Sequence, residues 1–277
     1  MPLADDIRAK ATTIDLPYGR RGNVIDLSGV AEIATANNVP GHVVEAQALR
    51  LGIHPKRYLR NHQSISTDQQ ARLLESTIAQ VGLGGLGGTL LELFLRTGIG
   101  TIRSADGDTF EETNLNRQAL STIDTLGISK TEAAIRRRDE INPSISLETC
   151  EKYLTAKTLP TFLEGADIAV DALGGLETRP ALQAAAAKAG IPLITGALAG
   201  WTGYVSVVMP GFPGPADIMG TDNGAEEQLG CPAPAVTFFA SLMASELINI
   251  LTEKTPPTSP SILLVDLKTL TFERVQI

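Results

Sequence analysis

The apolar positions of this chain change period several times, and each change predicts a new element. From Gln69 onward, ARLLESTIAQVG passes from helical spacing into a strand ending at Gly82. Apolar residues every three to four positions mark a helix face, whereas short continuous apolar runs mark buried strands. GLGGTLLELFLRTG predicts the next helix, and GTIRSAD a strand that closes on an acid. SKTEAAIRRRDEIN predicts an amphipathic helix stopped by Pro143, which cannot continue the hydrogen-bond ladder. SISLETCEKY reads as a strand, LPTFLEGA as a short helix, DIAVDALGG as a strand, and LETRPALQAAAAKAG as a helix. IPLITGAL and GYVSVVMPG follow as strands, PAVTFFASLMASELINIL as a long helix, and ILLVDLKTLTFERVQI as a closing hairpin. This alternation predicts an α/β fold, a mostly parallel sheet with right-handed crossovers and helices on both faces.

Two regions depart from the alternation. Residues 211–232 hold many turn formers and no period, which predicts a long loop. Residues 1–24 are polar, with Pro17, Gly19 and Gly22, and read as an arm. LSGVAEIATANN and PGHVVEAQALRLGI then predict two short helices joined at Asn38–Pro40. They suit either a small helix-turn-helix or a packing appendage or dimer contact. A DNA reader would carry more Lys and Arg on its second helix. The expected division is an N-terminal arm and helical region over 1–60, then one α/β domain over 61–277.

Charge and cysteine usage narrow the class. The 277 residues carry a formal charge of −8, which argues against a dedicated nucleic-acid binder. Cys150 and Cys231 form no CxxC pair, and His42, His54 and His62 lack metal-ligand spacing, so no zinc site is expected. The start, MPLADDIRAK, lacks the basic-then-apolar order of a signal peptide. No apolar run is expected to approach the ~20 residues that span a bilayer. A cytoplasmic location, without membrane association, is the expectation.

The candidate chemistry begins at Gly82, Gly84 and Gly87, a G-x-G-x-x-G turn to which Gly85 and Gly88 add. Such glycines permit the tight turn, close approach of backbone to phosphate, and close helix–strand packing. The helix that follows points free N–H groups at an anion. Asp106, at the end of the next strand, is placed to accept hydrogen bonds from ribose hydroxyls. These features suit a dehydrogenase equally well. The next segment separates the two, because it holds Asp108, Asn114, Arg117 and Gln118, with Lys130 opening the following helix. Cations converging beside phosphates serve nucleotidyl transfer, where charge gathers on the α-phosphate and on leaving pyrophosphate. Asn114 and Gln118 also suit a plain loop-closing role.

The string VGLGGLGG…LRTGIGTIRSADGDTFEETNLNRQ, with GISKTEAA and INP after it, resembles the ThiF/MoeB/HesA family, bacterial relatives of ubiquitin-activating enzymes. The resemblance runs from RYLRN (Arg57–Asn61) to the C-terminus. It implies a Rossmann-like domain that binds ATP and Mg2+ and adenylates the C-terminal Gly-Gly of a ubiquitin-like sulfur-carrier protein. A tRNA base, a small peptide, or binding without turnover are the alternatives. It further implies a homodimer in which Arg60 enters the partner's site, with Arg57 structural. Asp106 would hold ribose, and Asn114, Arg117, Gln118 and Lys130 the triphosphate.

Three departures from the family pattern stand out. Counting back from Arg179, the family's magnesium-binding aspartate falls on Gly174, which leaves Asp171, Asp108 or Glu177 as substitutes. The two CxxC pairs of many relatives are missing. Cys231 lies a few residues beyond the position of a nucleophilic cysteine, where a helix N-terminus is expected to lower its pKa. A plain buried cysteine is the other reading of it.

Overall fold

The computed structural model describes residues 3–16, 19–220, 224–252 and 260–277. Pro17 of the expected arm and residues 221–223 of the expected loop lie outside the described residues.

The first 55 residues build more than an arm and two helices. Helix α1 spans Leu3–Lys10, β1 Thr12–Asp15 and β2 Arg21–Ile25. Helices α2 (Leu27–Asn37) and α3 (Gly41–Arg50) follow, and β3 (Ile53–Pro55) closes a small sheet of order β1-β2-β3. The two helices stand where the pattern put them. Asp26 caps α2 by accepting the Gly29 N–H, and Asn38 ends it in the left-handed region at φ 52°. The arm expected over residues 1–24 is a correction. Among its described residues Ile7 and Val24 are fully buried, and Ile7 packs with Ile25, Val30, Ile33, Val44, Ala48 and Ile53. One apolar anchor in a charged helix leaves no periodic stripe to read.

A buried polar network joins this unit to the rest of the chain. Glu45 of α3 is 1% exposed, pairs with Arg57 Nε at 3.2 Å, and accepts from the Tyr58 hydroxyl at 3.3 Å. Asn142 donates to that hydroxyl and to Leu95 O, and the Ser144 hydroxyl donates to Glu45. Burial pushes the Glu45 carboxyl up to about 7, against the pull of Arg57, Tyr58 and Ser144. The folded state therefore holds a proton that the unfolded chain releases near its ordinary 4.5. That contribution is complete below pH 4.5 and is lost as pH rises toward 7. Glu45→Gln should flatten the corresponding slope, worth about 2–3 kcal/mol across that window. Denaturant unfolding of both proteins at a series of pH values checks this; parallel stability curves would contradict it.

Next comes α4 (Thr67–Glu75), where Ser66 and Gln69 form a reciprocal capping box. Strand β4 (Thr77–Val81), α5 (Gly85–Thr97), β5 (Thr101–Ala105), α6 (Lys130–Ile141) and β6 (Ser146–Cys150) form the first half. The chain then crosses through α7 (Leu159–Leu163) to β7 (Ile168–Asp171), α8 (Arg179–Ala189), β8 (Leu193–Ala199) and β9 (Thr202–Val208). Helices α9 (Gly224–Leu229) and α10 (Ala233–Thr252) precede the hairpin β10 (Ser261–Asp266) and β11 (Thr271–Gln276). The sheet order is β11-β10-β9-β8-β7-β4-β5-β6. Pairing is parallel from β6 through β8 and antiparallel from β8 to β11.

Both faces of the sheet are covered. Leu90, Leu91, Phe94, Phe239, Met243 and Leu247 of α5 and α10 bury one face, while Leu163, Leu182 and Ala186 bury the other. The loop expected over 211–232 instead holds a 3-10 turn, Pro215–Asp217, and α9. Helix α9 buries no residue, so its sequence carries no stripe. A second correction concerns α10, whose 20 residues are long and apolar enough to cross a membrane by composition alone. Here that apolarity covers the sheet and α5, with Phe239, Ala240 and Met243 fully buried.

Strands β4 and β7 are neighbours, yet the chain leaves them toward opposite edges of the sheet. Ligands of open parallel sheets bind in the crevice at such a switch point, beyond the carboxyl ends of the strands.

Candidate active site

A cleft of ≈ 630 Å³ opens at that crevice, and the glycine turn forms its floor. Gly82 has φ 103°, and a Cβ there would stand 2.2 Å from Ala172 O. A Cβ on Gly87 would stand 2.0 Å from Gly82 O. Only glycine lets strand, turn and helix approach this closely. No side chain caps α5, whose N-cap is Gly84, so its first amides face the cleft. Uncapped amides and the helix dipole together favour an anion at this point.

Asp106 ties this turn to β5. Its Oδ2 accepts the Leu83 N–H at 2.7 Å and its Oδ1 the Asp108 N–H at 2.9 Å. Each oxygen retains further acceptor capacity, and Asp106 lines the cleft. Lys130, the first residue of α6, is 6% exposed and stands 2.8 Å from Asp108 Oδ2 and 3.8 Å from Asp106 Oδ2. A cation at a helix N-terminus opposes the dipole unless an anion meets it. In the described residues Asp108 supplies that anion. Burial raises the Asp108 pKa, but hydrogen bonds from Lys130 and Tyr153 outweigh it and hold the carboxyl below the ordinary carboxylate range.

Asn114, Arg117 and Gln118 of the N-L-N-R-Q segment also line the cleft. Asn114 Oδ1 accepts the Glu111 N–H at 3.1 Å, so it closes a turn while also lining the cleft. Arg117 Nη1 donates to Thr113 O at 3.1 Å and Asn116 Oδ1 at 2.9 Å, which fixes its guanidinium at the cleft edge. Gln118 is 7% exposed, and its Oε1 has no partner. Gly84 and Gly85 complete the lining beside it.

Asp171 and Cys231 differ from the expectation. Asp171 is 1% exposed and does not line the cleft. Its Oδ2 accepts from Arg179 Nη1 at 2.9 Å and from the Thr195 hydroxyl at 2.7 Å, and its Oδ1 from the Leu173 N–H at 3.1 Å. A carboxylate held in this way is a structural anchor, not an open metal ligand. Cys231 lines the cleft, but its thiol is not acidic. Burial and Glu226 push its pKa up to about 11, against the pull of Arg117. That direction reverses the expected lowering. Arg60 is exposed and lies outside the cleft of its own chain. Arg57, by contrast, sits in the Glu45 network as a structural residue.

Gly174 lines the cleft mouth, and a Cβ there would meet nothing within 4 Å. Tyr153 and Glu226 also line the cleft and were not singled out by sequence. Tyr153 follows the carboxyl end of a parallel strand, the side of such a sheet on which ligands bind, so its place was open to inference. Glu226 lies on α9 and gave no signal. Among the described residues, no group of three or more His, Cys, Asp or Glu side chains could hold a metal ion by itself.

A mostly parallel open sheet, a glycine turn at its switch point and cations lining the cleft suit an ATP-dependent adenylyltransferase. The chain belongs to the ThiF family, whose profile matches residues 58–277. It is 31% identical over 192 residues to the sulfur carrier protein ThiS adenylyltransferase of Escherichia coli K12, covering 68% of this chain and 76% of that one. It is 28% identical over 215 residues to the molybdopterin-synthase adenylyltransferase of the same organism, covering 76% and 86%. HesA of Nostoc sp. PCC 7120 is 28% identical over 213 residues, covering 74% and 82%. Among solved structures, E. coli MccB with ATP superposes with a TM-score of 0.70 at 21% identity, covering 80% of this chain and 71% of that one. PaaA gives 0.68 at 20% identity, covering 80% and 73%. These two likenesses concern the fold.

Proposed function

We propose that this enzyme adenylates the C-terminal glycine of a ubiquitin-like sulfur-carrier protein. The observation that carries the reading is Lys130, a buried ammonium facing the glycine turn across a cleft that also holds Arg117. A carboxylate oxygen of the carrier attacks the α-phosphorus of ATP. The bond to the β-phosphate breaks, and pyrophosphate leaves with the electron pair. Lys130 and Arg117 neutralise the charge that grows on the α-phosphate and the leaving group, and the α5 amides hold the phosphates. Asn114 and Gln118 orient them, and Asp106 accepts from ribose hydroxyls. Arg60 of a second copy adds a further cation in a cytoplasmic homodimer.

Magnesium fits a site whose donors are mostly phosphate oxygens with one or two carboxylates. Asp108 is the carboxylate best placed for this, since Asp171 is committed to Arg179. When bound, the ion offsets charge on the leaving pyrophosphate.

ATP–pyrophosphate exchange that depends on a diglycine-tailed carrier tests the reading, and no exchange with any such carrier would count against it. Gly174→Asp adds a carboxylate at the cleft mouth without steric conflict. It should tighten Mn2+ binding to the ATP complex by about threefold or more, as read by calorimetry. Gly174 also favours a second reading, nucleotide binding without turnover. Tight ATP binding with no exchange, in both the native protein and Gly174→Asp, would select it.

A further inference from the structure

One side chain on the cleft wall has no part in the adenylation chemistry, and its placement is unusual. Tyr153 is 71% exposed and follows β6, three residues beyond Cys150. It lines the cleft with Lys152 and Leu154. Its hydroxyl donates to Asp108 Oδ1. Its ring lies against Gly107, where a Cβ would stand 2.8 Å from Cδ2 and 2.9 Å from Cε2. An exposed aromatic side chain normally samples several rotamers. This one is fixed at the ring by Gly107 and at the hydroxyl by Asp108, so it is ordered before any ligand arrives.

The sheet gives this position a meaning. Strands β4, β5 and β6 lie side by side. The phosphate-binding turn follows β4, Asp106 follows β5, and Tyr153 follows β6. Neighbouring strands are 4.7–4.9 Å apart, so the path from the β4 end to the β6 end is roughly 10 Å. That path matches the run from phosphate through ribose to base in a nucleotide. A nucleotide with its phosphates on the glycine turn and its ribose on Asp106 therefore carries its base to Tyr153.

We infer that Tyr153 is the nucleobase platform of this cleft: the base stacks on its ring, and the Asp108 contact holds that ring in place. The inference rests on the ATP-binding reading of the cleft. It makes Tyr153 a specificity residue for the nucleoside half of the ligand, separate from the phosphate machinery.

Calorimetry with ATP and with inorganic tripolyphosphate, on wild type, Tyr153→Ala and Tyr153→Phe, tests it. Tyr153→Ala should weaken ATP by about tenfold or more and leave tripolyphosphate within about twofold, since stacking belongs to the base alone. Tyr153→Phe keeps the ring and should bind ATP within about threefold of wild type. ATP and tripolyphosphate weakening in parallel would overturn the inference, because the side chain would then be holding only the Gly107–Asp108 loop. Unchanged ATP affinity in Tyr153→Ala would overturn it as well. If Tyr153→Ala does not fold, Tyr153→Leu is judged by the same two ligands. Wild type that binds tripolyphosphate but not ATP removes the ATP reading itself, an outcome distinct from the variant failing alone.

Discussion

Lys130→Ala is expected to lower ATP–pyrophosphate exchange by about 10²–10³-fold, the loss typical of removing one preorganised charge-stabilising group. The argument is electrostatic. Lys130 is 6% exposed at the first position of a 12-residue helix, where the dipole disfavours a cation. Asp108 at 2.8 Å and Asp106 at 3.8 Å make that placement tolerable. A buried ammonium that trades a carboxylate for a phosphate loses little, because its desolvation precedes ligand binding. The fold should survive the substitution, since Asp106 keeps both backbone N–H partners and Asp108 keeps Tyr153. Lys130→Arg should rescue poorly, because a planar guanidinium does not fill the place of a compact ammonium. Exchange within about fivefold of wild type, in a protein with an unchanged melting curve, would show that Lys130 is only a structural cation.

Arg179→Ala should produce the largest loss of stability, about 3–5 kcal/mol, because it strands a buried carboxylate. Arg179 is 5% exposed. It donates to Asp171, Thr195 and Gly196 O through Nη1, to Leu173 O through Nη2, and to Gly175 O through Nε. One side chain therefore pins the segment between β7 and α8, which carries Gly174, onto β8. Without it, Asp171 at 1% exposure keeps only Thr195 and the Leu173 N–H. Arg179→Lys should recover only part of the loss, since an ammonium has three donors against the planar fork of arginine. Arg179→Met combined with Asp171→Asn should recover more, because the uncompensated charge is gone. Thermal unfolding checks all three, and a fall of less than about 3 °C for Arg179→Ala would refute the stranded-charge account.

The same residues show where sequence reading stops. Gly82 and Gly87 were legible because a tight turn and close helix packing demand a missing Cβ, whereas a Cβ on Gly84 would meet nothing nearer than 3.8 Å. The strand and helix order of the main domain was legible because burial on both faces of a parallel sheet imposes local periodicity. Helix α9 and helix α1 were not legible, since one buries nothing and the other buries little more than Ile7. Asp171 was one of three carboxylates that the family resemblance left as substitute metal ligands. Arg179, Thr195 and Leu173 reach it only once β7, β8 and α8 are packed together.

The sequence by itself determined the Rossmann-like alternation, the phosphate-facing glycine turn and the supply of cations beside it. Each of these depends on residue type at short range, through backbone freedom and hydrophobic period. Tertiary structure alone decided which carboxylate meets which cation, that the Cys231 thiol stays protonated, and that Tyr153 stands over Gly107. Those outcomes depend on burial and on distances of a few ångströms between residues far apart in the chain. Coulomb and desolvation energies change steeply over such distances.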